Sequence, residues 1–220
     1  MNRDRRPGLA PALALGLACL IAPACTHAAD PEWVSLFDGK TLGGWKVMEL
    51  PNQPKPTKWE VVDGALVGSG GQSMIYSPRG DYKNFKFRAE VKINDKGNSG
   101  MYFRTPEGAT FMNGYETQIN ATHADPIRSG SLYTFVHLFD DTSPTKPDTY
   151  FTQEVEVKDV DFRGKMVTQV TVKIDGKTLY TFNDFGRTWG PGHFAFQQHD
   201  PGSRVTIRKI EVMELPASKK

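Results

Sequence analysis

The sequence predicts an all-β protein folded as a two-sheet antiparallel jelly-roll sandwich, and three observations support this. Residues 85–93, FKFRAEVKI, alternate apolar and polar side chains with a period of two. Asp-Gly pairs at 63–64 and 175–176 separate short apolar runs, which is the pattern of tight hairpins. No stretch of twelve residues carries a helical period. An all-β chain of this size typically buries its single core between two sheets packed face to face.

Further strands follow from the same alternation. Residues 167–174, VTQVTVKI, and 204–212, RVTIRKIEV, each place apolar side chains on one face. The Pro-rich segments 51–56 and 142–147 are interpreted as surface loops within one domain.

Residues 1–29 have the features of a secretory signal peptide, so the predicted domain spans 30–220. Arg3, Arg5 and Arg6 precede an apolar run at 9–22, with small residues before a cleavage site near Ala28. Pro11 and Gly16 break that run, which is too short to predict a membrane span. The predicted location is therefore periplasmic or secreted. Cleavage before Cys25, giving a lipoprotein, is the second-ranked alternative.

Charge and cysteine content narrow the classes of function. Removing the signal peptide leaves 24 basic and 24 acidic residues and neither of the two cysteines. A disulfide framework and a thiol nucleophile are then excluded. No long basic run remains, so neither nucleic acid nor an anionic membrane is a predicted partner.

The stretch GYETQIN, 114–120, is the first candidate site. If it is a strand, then Glu116, Gln118 and Asn120 point to one face and their neighbours to the other. Such a row is more often a solvated outer face than the floor of a polar site. Both interpretations remain open at this stage.

Three other stretches offer polar side chains that could bind a sugar. On a strand, Asn98 and Arg104 share one face, and so do Gln197 and His199; Tyr133 is a candidate hydrogen-bond donor. The competing interpretations are a surface ion pair for Arg104, a turn residue for His199 and a packing residue for Tyr133. No metal-binding motif with two His four apart is present.

Taken together and in order, the motifs resemble those of the 3-keto-disaccharide hydrolase family. They run from 33–42, WVSLFDGKTL, through 59–66, WEVVDGAL, to 97–104, 114–119, 130–133 and 196–199, and end at 208–212. The resemblance covers essentially the whole predicted mature chain. It implies a concanavalin A-like, laminarinase-like sandwich and a role in sugar breakdown outside the cytoplasm.

The family motifs carry over to particular residues. G-Y-E-x-Q matches Glu116 and Gln118, N-S-G-x-x-F-R matches Asn98 and Arg104, and Q-x-H matches Gln197 and His199. The chain departs from the family at two positions, where Ala121 and Gln198 replace acidic residues that many members carry.

A 3-keto sugar suits a row with a single carboxylate. Ordinary glycoside hydrolysis uses two carboxyl groups, whereas a C3 carbonyl acidifies the hydrogen on C2, so that one base can start an elimination. We hypothesise Glu116 as the base and His199 as the acid or its partner, with Arg104 and either Asn98 or Gln118 at the C3 oxygen. Alternatively, a divalent metal held by Glu116 and His199 stabilises the enolate.

Two rival functions remain open at this stage. A non-catalytic, lectin-like carbohydrate-binding module would use the same amide-rich face. An ordinary glycosidase would need a second acid brought nearby by the fold. The keto-sugar hypothesis also implies an upstream sugar 3-dehydrogenase that supplies the substrate.

Overall fold

The computed structural model describes Met1 and residues 31–139 and 143–217. The predicted signal peptide, apart from Met1, and Cys25 lie outside these residues. The chain divides into two units, Met1–Asp30 and Pro31–Lys220, and the second contains the fold. No helix in the described part of the chain is long and apolar enough to cross a membrane.

The second unit is built from thirteen strands. Their bounds are β1 Val34–Ser35, β2 Lys46–Glu49, β3 Thr57–Val62, β4 Ala65–Gly70, β5 Ser73–Tyr76, β6 Phe85–Ile93, β7 Ser99–Thr105, β8 Tyr115–Ile119, β9 Phe151–Phe162, β10 Lys165–Ile174, β11 Lys177–Asp184, β12 His193–Gln198 and β13 Val205–Glu214.

The strands form two antiparallel sheets. The larger sheet has the order β11-β10-β9-β6-β13-β4-β3, with β1 paired to β13, and the smaller has the order β2-β5-β12-β7-β8. Neighbours in these sheets are distant in sequence, as in β6 beside β13. The predicted all-β two-sheet sandwich is confirmed.

Local sequence explains the hairpins. Asp63 and Gly64 have φ angles of 51° and 76°, and Asp175 and Gly176 have 49° and 76°. Two successive residues with positive φ make a turn whose twist matches that of the flanking strands. Both predicted hairpins, β3–β4 and β10–β11, are confirmed.

The core lies between the sheets. Phe194 of β12 stacks on Phe87 of β6 with ring centroids 3.9 Å apart, and Met101 and Phe103 of β7 join the same cluster. Because side chains alternate along a strand, the residues between these inward ones face outward. Tyr102 packs in a separate small cluster with Met74, Tyr76 and Ala195, on the outer face of the smaller sheet.

The prediction that Arg104 shares a face with Asn98 was wrong. The β7–β12 register shifts between His193 and Ala195, opposite the end of β7, and Arg104 has a φ of 49°. This irregularity breaks the alternation, because an extra residue in one strand turns the next side chain toward the other face. Arg104 is only 1% exposed and reaches Asp159 of the larger sheet at 3.0 Å.

Candidate active site

The outer face of the smaller sheet carries a polar cavity. In the β7–β8 register, Glu116 lies opposite Tyr102, and Gln118 lies opposite Gly100. A cavity of about 190 Å³ opens over this pair of strands. Its lining residues are Asn98, Phe111, Met112, Glu116, Gln118, Asp125, Tyr133, Gln197 and His199.

Asn120 is not the third member of a polar row. It is fully buried, and its Nδ2 donates to the carbonyl oxygens of Asp125 and Ile127, each at 2.9 Å. Its Oδ1 accepts the backbone N–H of His123 at 2.8 Å. Asn120 therefore folds the loop after β8 and holds His123 and Asp125 beside the cavity.

Glu116 is the most strongly perturbed acid in the cavity. Its side chain is packed away from water, with 7% of the residue exposed. Burial raises its pKa to about 8, the Tyr102 hydroxyl group opposes that rise, and the nearby Asp125 carboxylate adds to it. A carboxyl group with a pKa near working pH can give and take a proton, which is the property of a general acid–base catalyst.

Amide groups surround Glu116. Gln197 Nε2 donates to the Tyr102 hydroxyl oxygen at 3.0 Å. Within the described part of the chain, Asn98 Oδ1 and Gln197 Oε1 are buried without a hydrogen-bond partner. Buried polar atoms normally have partners. These two acceptors therefore suit the hydroxyl groups of a bound sugar.

His199 is held by the residue that follows it. Its Nδ1 lies 3.0 Å from Asp200 Oδ2, which also accepts the Ser203 hydroxyl at 2.7 Å. With Nδ1–H donating to the carboxylate, Nε2 carries the free lone pair of the neutral ring. The ring stacks on Phe111 at 5.7 Å, which limits its orientation.

Tyr133 reaches the site through the edge of β8. Backbone hydrogen bonds from Gln118 N to Ser131 O, at 2.9 Å, and from Tyr133 N to Glu116 O, at 2.9 Å, pair this segment with β8. The Tyr133 hydroxyl lies 3.5 Å from Asp125 Oδ2. Burial, followed by the charges of Asp125 and Glu116, raises the pKa of Tyr133, so its hydroxyl group remains a donor.

The cavity contains two carboxyl groups, because Asp125 lines it together with Glu116. The row on β8 carries a single carboxylate as predicted, and the fold brings a second acid beside it, which is the condition that the ordinary-glycosidase alternative requires. Asp125 lies six positions after the end of β8 and is brought back by the Asn120-anchored loop. The only sequence signal was an acidic residue and a histidine in a short Pro-containing segment, ATHADP, directly after the strand.

The fold brings together six of the seven predicted site residues. Glu116, His199, Asn98, Gln118, Tyr133 and Gln197 all line the cavity. Arg104 does not, and we remove it from the candidate substrate-binding residues. Sequence reasoning missed Asp125, Phe111, Met112 and the neighbouring His123. The chemical roles of the six remain predictions.

A metal-binding cluster differs from the predicted pair of Glu116 and His199. Among the described residues, His123, His199 and Asp200 offer ligand atoms within 4.8 Å of one another. His123 Nδ1 accepts the backbone N–H of Asp125 at 3.0 Å, so the neutral ring carries its proton on Nε2. That nitrogen faces Asp200 Oδ2 at 3.8 Å and must lose its proton before it can bind a cation.

Known structures show the same fold at low sequence identity. A putative glycosyl hydrolase from Parabacteroides distasonis is 19% identical, with a TM-score of 0.65, over 84% of this chain and 100% of that one. The carbohydrate-binding module CBM66 from Bacillus subtilis is 16% identical, with a TM-score of 0.56, over 78% and 96%. At these identities the likeness shows the fold alone.

Sequence comparison is more specific. A 3-keto-disaccharide hydrolase from Bacteroides thetaiotaomicron is 34% identical over 83 residues, which cover 34% of this chain and only 28% of that protein. A family model described as a 3-keto-alpha-glucoside-1,2-lyase-like domain matches residues 32–213, nearly the whole described fold. The chain belongs to this family.

Proposed function

We propose that the protein cleaves 3-keto glycosides and that Glu116 is the general base. The observation that carries this proposal is a buried carboxyl group with a pKa of about 8, in a cavity lined by amides with unpartnered oxygen atoms. The family name and the name of the relative from Bacteroides thetaiotaomicron both concern 3-keto sugars, which supports this substrate class.

The first step is removal of the C2 proton. The Glu116 carboxylate takes that proton, and the C2–H electron pair becomes part of an enolate whose charge lies on the C3 oxygen. A raised pKa makes Glu116 a stronger base than an ordinary carboxylate. The amide N–H groups of Asn98 and Gln118 are the candidate donors to the C3 oxygen, since Arg104 faces the core.

The second step breaks the bond from C1 to the glycosidic oxygen. The enolate electrons form the C1–C2 double bond, C3 regains its carbonyl, and the leaving oxygen takes a proton from Nε2 of His199, which enters this step as the imidazolium. Asp200, at 3.0 Å from His199 Nδ1, stabilises the imidazolium before that transfer. This elimination is a lyase reaction.

Hydrolysis requires one further addition. Water gives a proton to His199 and its oxygen to C1 of the enone, and Glu116 returns the proton to C2. The sum is cleavage of the glycosidic bond by one water molecule, with no oxidant or reductant consumed. Both residues end in the protonation states in which they began.

Two other functions use the same cavity. A lectin-like module would need the unpartnered amide oxygens but would not need a carboxyl group with a perturbed pKa, so Glu116 favours the enzyme. An ordinary glycosidase would use Glu116 with Asp125, and the presence of both carboxyl groups keeps this as the second candidate.

Location and supply of substrate are parts of the same proposal. We infer that residues 1–29 direct export to the periplasm or medium and are then removed. We also infer that a separate sugar 3-dehydrogenase supplies the keto substrate. Mass spectrometry of the exported protein tests the first point. A chain that begins at Ala29 or Asp30 supports cleavage after the small residues, whereas a lipid on Cys25 overturns it.

The deciding experiment compares a 3-keto disaccharide with its unoxidised parent. We expect the purified chain to cleave only the keto sugar, and Glu116→Gln to lose about 100- to 10,000-fold in rate while remaining folded. Cleavage of both sugars would assign an ordinary glycosidase, and binding of either without cleavage would assign a lectin. If a chelator abolishes activity and a divalent cation restores it, the mechanism includes a metal, and His123, His199 and Asp200 are its candidate ligands.

A further inference from the structure

A second cavity adjoins the first at Glu116. It measures about 140 Å³ and is lined by Phe111, Met112, Gly114, Glu116, Tyr133, Thr134, Phe135, Thr188 and Trp189. Four of these residues, Phe111, Met112, Glu116 and Tyr133, also line the first cavity. The two cavities are therefore neighbouring compartments that share the Glu116 carboxyl group.

The two compartments differ in chemistry. Three amide side chains and His199 line the first, which suits a ring whose hydroxyl and carbonyl oxygens must all be bound. The second has no amide side chain in its lining and includes the aromatic rings of Phe135 and Trp189. Aromatic rings bind the apolar C–H face of a sugar ring without requiring a particular hydroxyl pattern.

Trp189 is held in place by both sheets. Its carbonyl oxygen accepts a hydrogen bond from Arg104 Nη1 at 3.4 Å. Asp184, five positions before Trp189, accepts hydrogen bonds from the Tyr115 hydroxyl at 2.5 Å and from the Thr188 backbone N–H at 2.7 Å. Tyr115 directly precedes Glu116 on β8. The hydrogen bond between Tyr115 and Asp184 therefore holds the Trp189 segment close to the proposed general base.

The segment from Tyr133 to Phe135 lines the second cavity, and its Tyr133 also lines the first. Thr134 has a φ of 70°, which a β-branched residue rarely adopts. Phe135 packs against Tyr115 and Phe182, with ring centroids 5.7 Å and 5.2 Å away. Tyr133 therefore lies where the two compartments meet, while Thr134 and Phe135 line only the second.

We propose that the second cavity binds the leaving group as a second sugar ring, with Trp189 as its platform. The inference rests on the proposed function, in which the keto ring occupies the amide-lined cavity and Glu116 reaches its C2. The glycosidic oxygen then lies at the junction of the two compartments. Their pairing makes a disaccharide, and not a glycoside with a small leaving group, the preferred substrate.

The test measures KM and kcat of wild type and three variants on two substrates. The substrates are a 3-keto disaccharide and the methyl 3-keto glycoside of the same reacting sugar. We expect Trp189→Ala to raise KM for the disaccharide at least tenfold more than for the methyl glycoside, and Trp189→Phe to recover most of that difference. Trp33→Ala is the matched control, because Trp33 is half-buried against Arg88 and lines neither cavity.

An equal increase in KM for the two substrates in Trp189→Ala would overturn the proposed subsite assignment. A separate calorimetric titration of the disaccharide distinguishes this failure from failure of the proposed function. If wild type cleaves no keto sugar, the catalytic proposal fails, while a disaccharide affinity that falls at least tenfold in Trp189→Ala still supports the subsite. Undiminished affinity in Trp189→Ala would reject it.

Discussion

A Cβ atom on Gly100 would lie 2.2 Å from Oε1 of Glu116 and 2.7 Å from the Tyr102 ring. Glycine at this position therefore leaves the space that the Glu116 carboxyl group occupies. Gly100 and Glu116 lie on the adjacent strands β7 and β8, where Gly100 is paired with Gln118, and Tyr102, two residues further along β7, is paired with Glu116.

The first prediction concerns Gly100→Ala. We expect kcat/KM on a 3-keto disaccharide to fall about 100-fold, because the new methyl group displaces the carboxyl group, and the free energy of unfolding to fall by about 1–3 kcal/mol. Combining Gly100→Ala with Glu116→Gln tests the cause. If Gly100 acts through Glu116, the double variant is hardly slower than Glu116→Gln alone; additive losses would contradict this.

The second prediction is the pH dependence of activity. Glu116 must be ionised to remove a proton, and its pKa is about 8. We expect log(kcat/KM) to rise on the acid side as Glu116 ionises and to fall again on the alkaline side, because His199 must carry the proton that it gives to the leaving oxygen. A rate already independent of pH between 5 and 7 would show that Glu116 does not act as the base.

The third prediction is the pH dependence of stability. The native state keeps the Glu116 proton up to about pH 8, whereas the unfolded chain loses it near the ordinary glutamate pKa of 4.5. The native state thus binds more protons between these values, so the contribution of Glu116 falls as pH rises through this window, by at most about 5 kcal/mol. Urea unfolding at pH 5 and pH 8 should show this loss in wild type and a smaller one in Glu116→Gln. Equal losses would contradict the raised pKa.

The fourth prediction concerns Arg104. Its guanidinium group is buried and donates to Asp159, Thr168 and the Lys83 carbonyl oxygen. Asp159 keeps Arg187 at 2.8 Å in Arg104→Ala, so we expect the loss of the buried hydrogen bonds to lower the free energy of unfolding by about 2–3 kcal/mol in urea. Arg79→Ala is the control. Arg79 pairs with Glu214 at an exposed site, where such pairs contribute about 0–1 kcal/mol. Similar losses in the two variants would argue against a core role for Arg104.

The fifth prediction concerns Asp200 as a positioning residue for His199. Asp200→Asn removes the charge that stabilises the imidazolium, so we expect kcat to fall about 100-fold with little change in KM, together with a shift of the pH profile. Asp95→Asn, at an exposed acid outside the cavity, is the matched control. A change in KM alone would assign Asp200 to substrate binding.

Local patterns predicted the fold well because they report on local physics. The alternation in 85–93 becomes β6 with the predicted bounds, and the Asp-Gly pairs become hairpins, since both depend on the pleat and on φ preferences of adjacent residues. Glu116 and Gln118 point to one face for the same reason. The strand pattern also singled out Asn98, Gln197 and His199, the family motifs match the same residues, and the fold gathers all three at the same cavity.

The errors arose where a tertiary contact overrides the alternation. Arg104 turns inward because a bulge at the end of β7 lets its charge meet Asp159 of the other sheet. Asn120 bonds a loop instead of facing the cavity, and that loop supplies Asp125. Sequence by itself determined the strands, the hairpins and the face on which Glu116 lies. Only the tertiary structure decided which distant groups surround that carboxyl group, because burial and pairing across sheets depend on contacts between residues far apart in the chain.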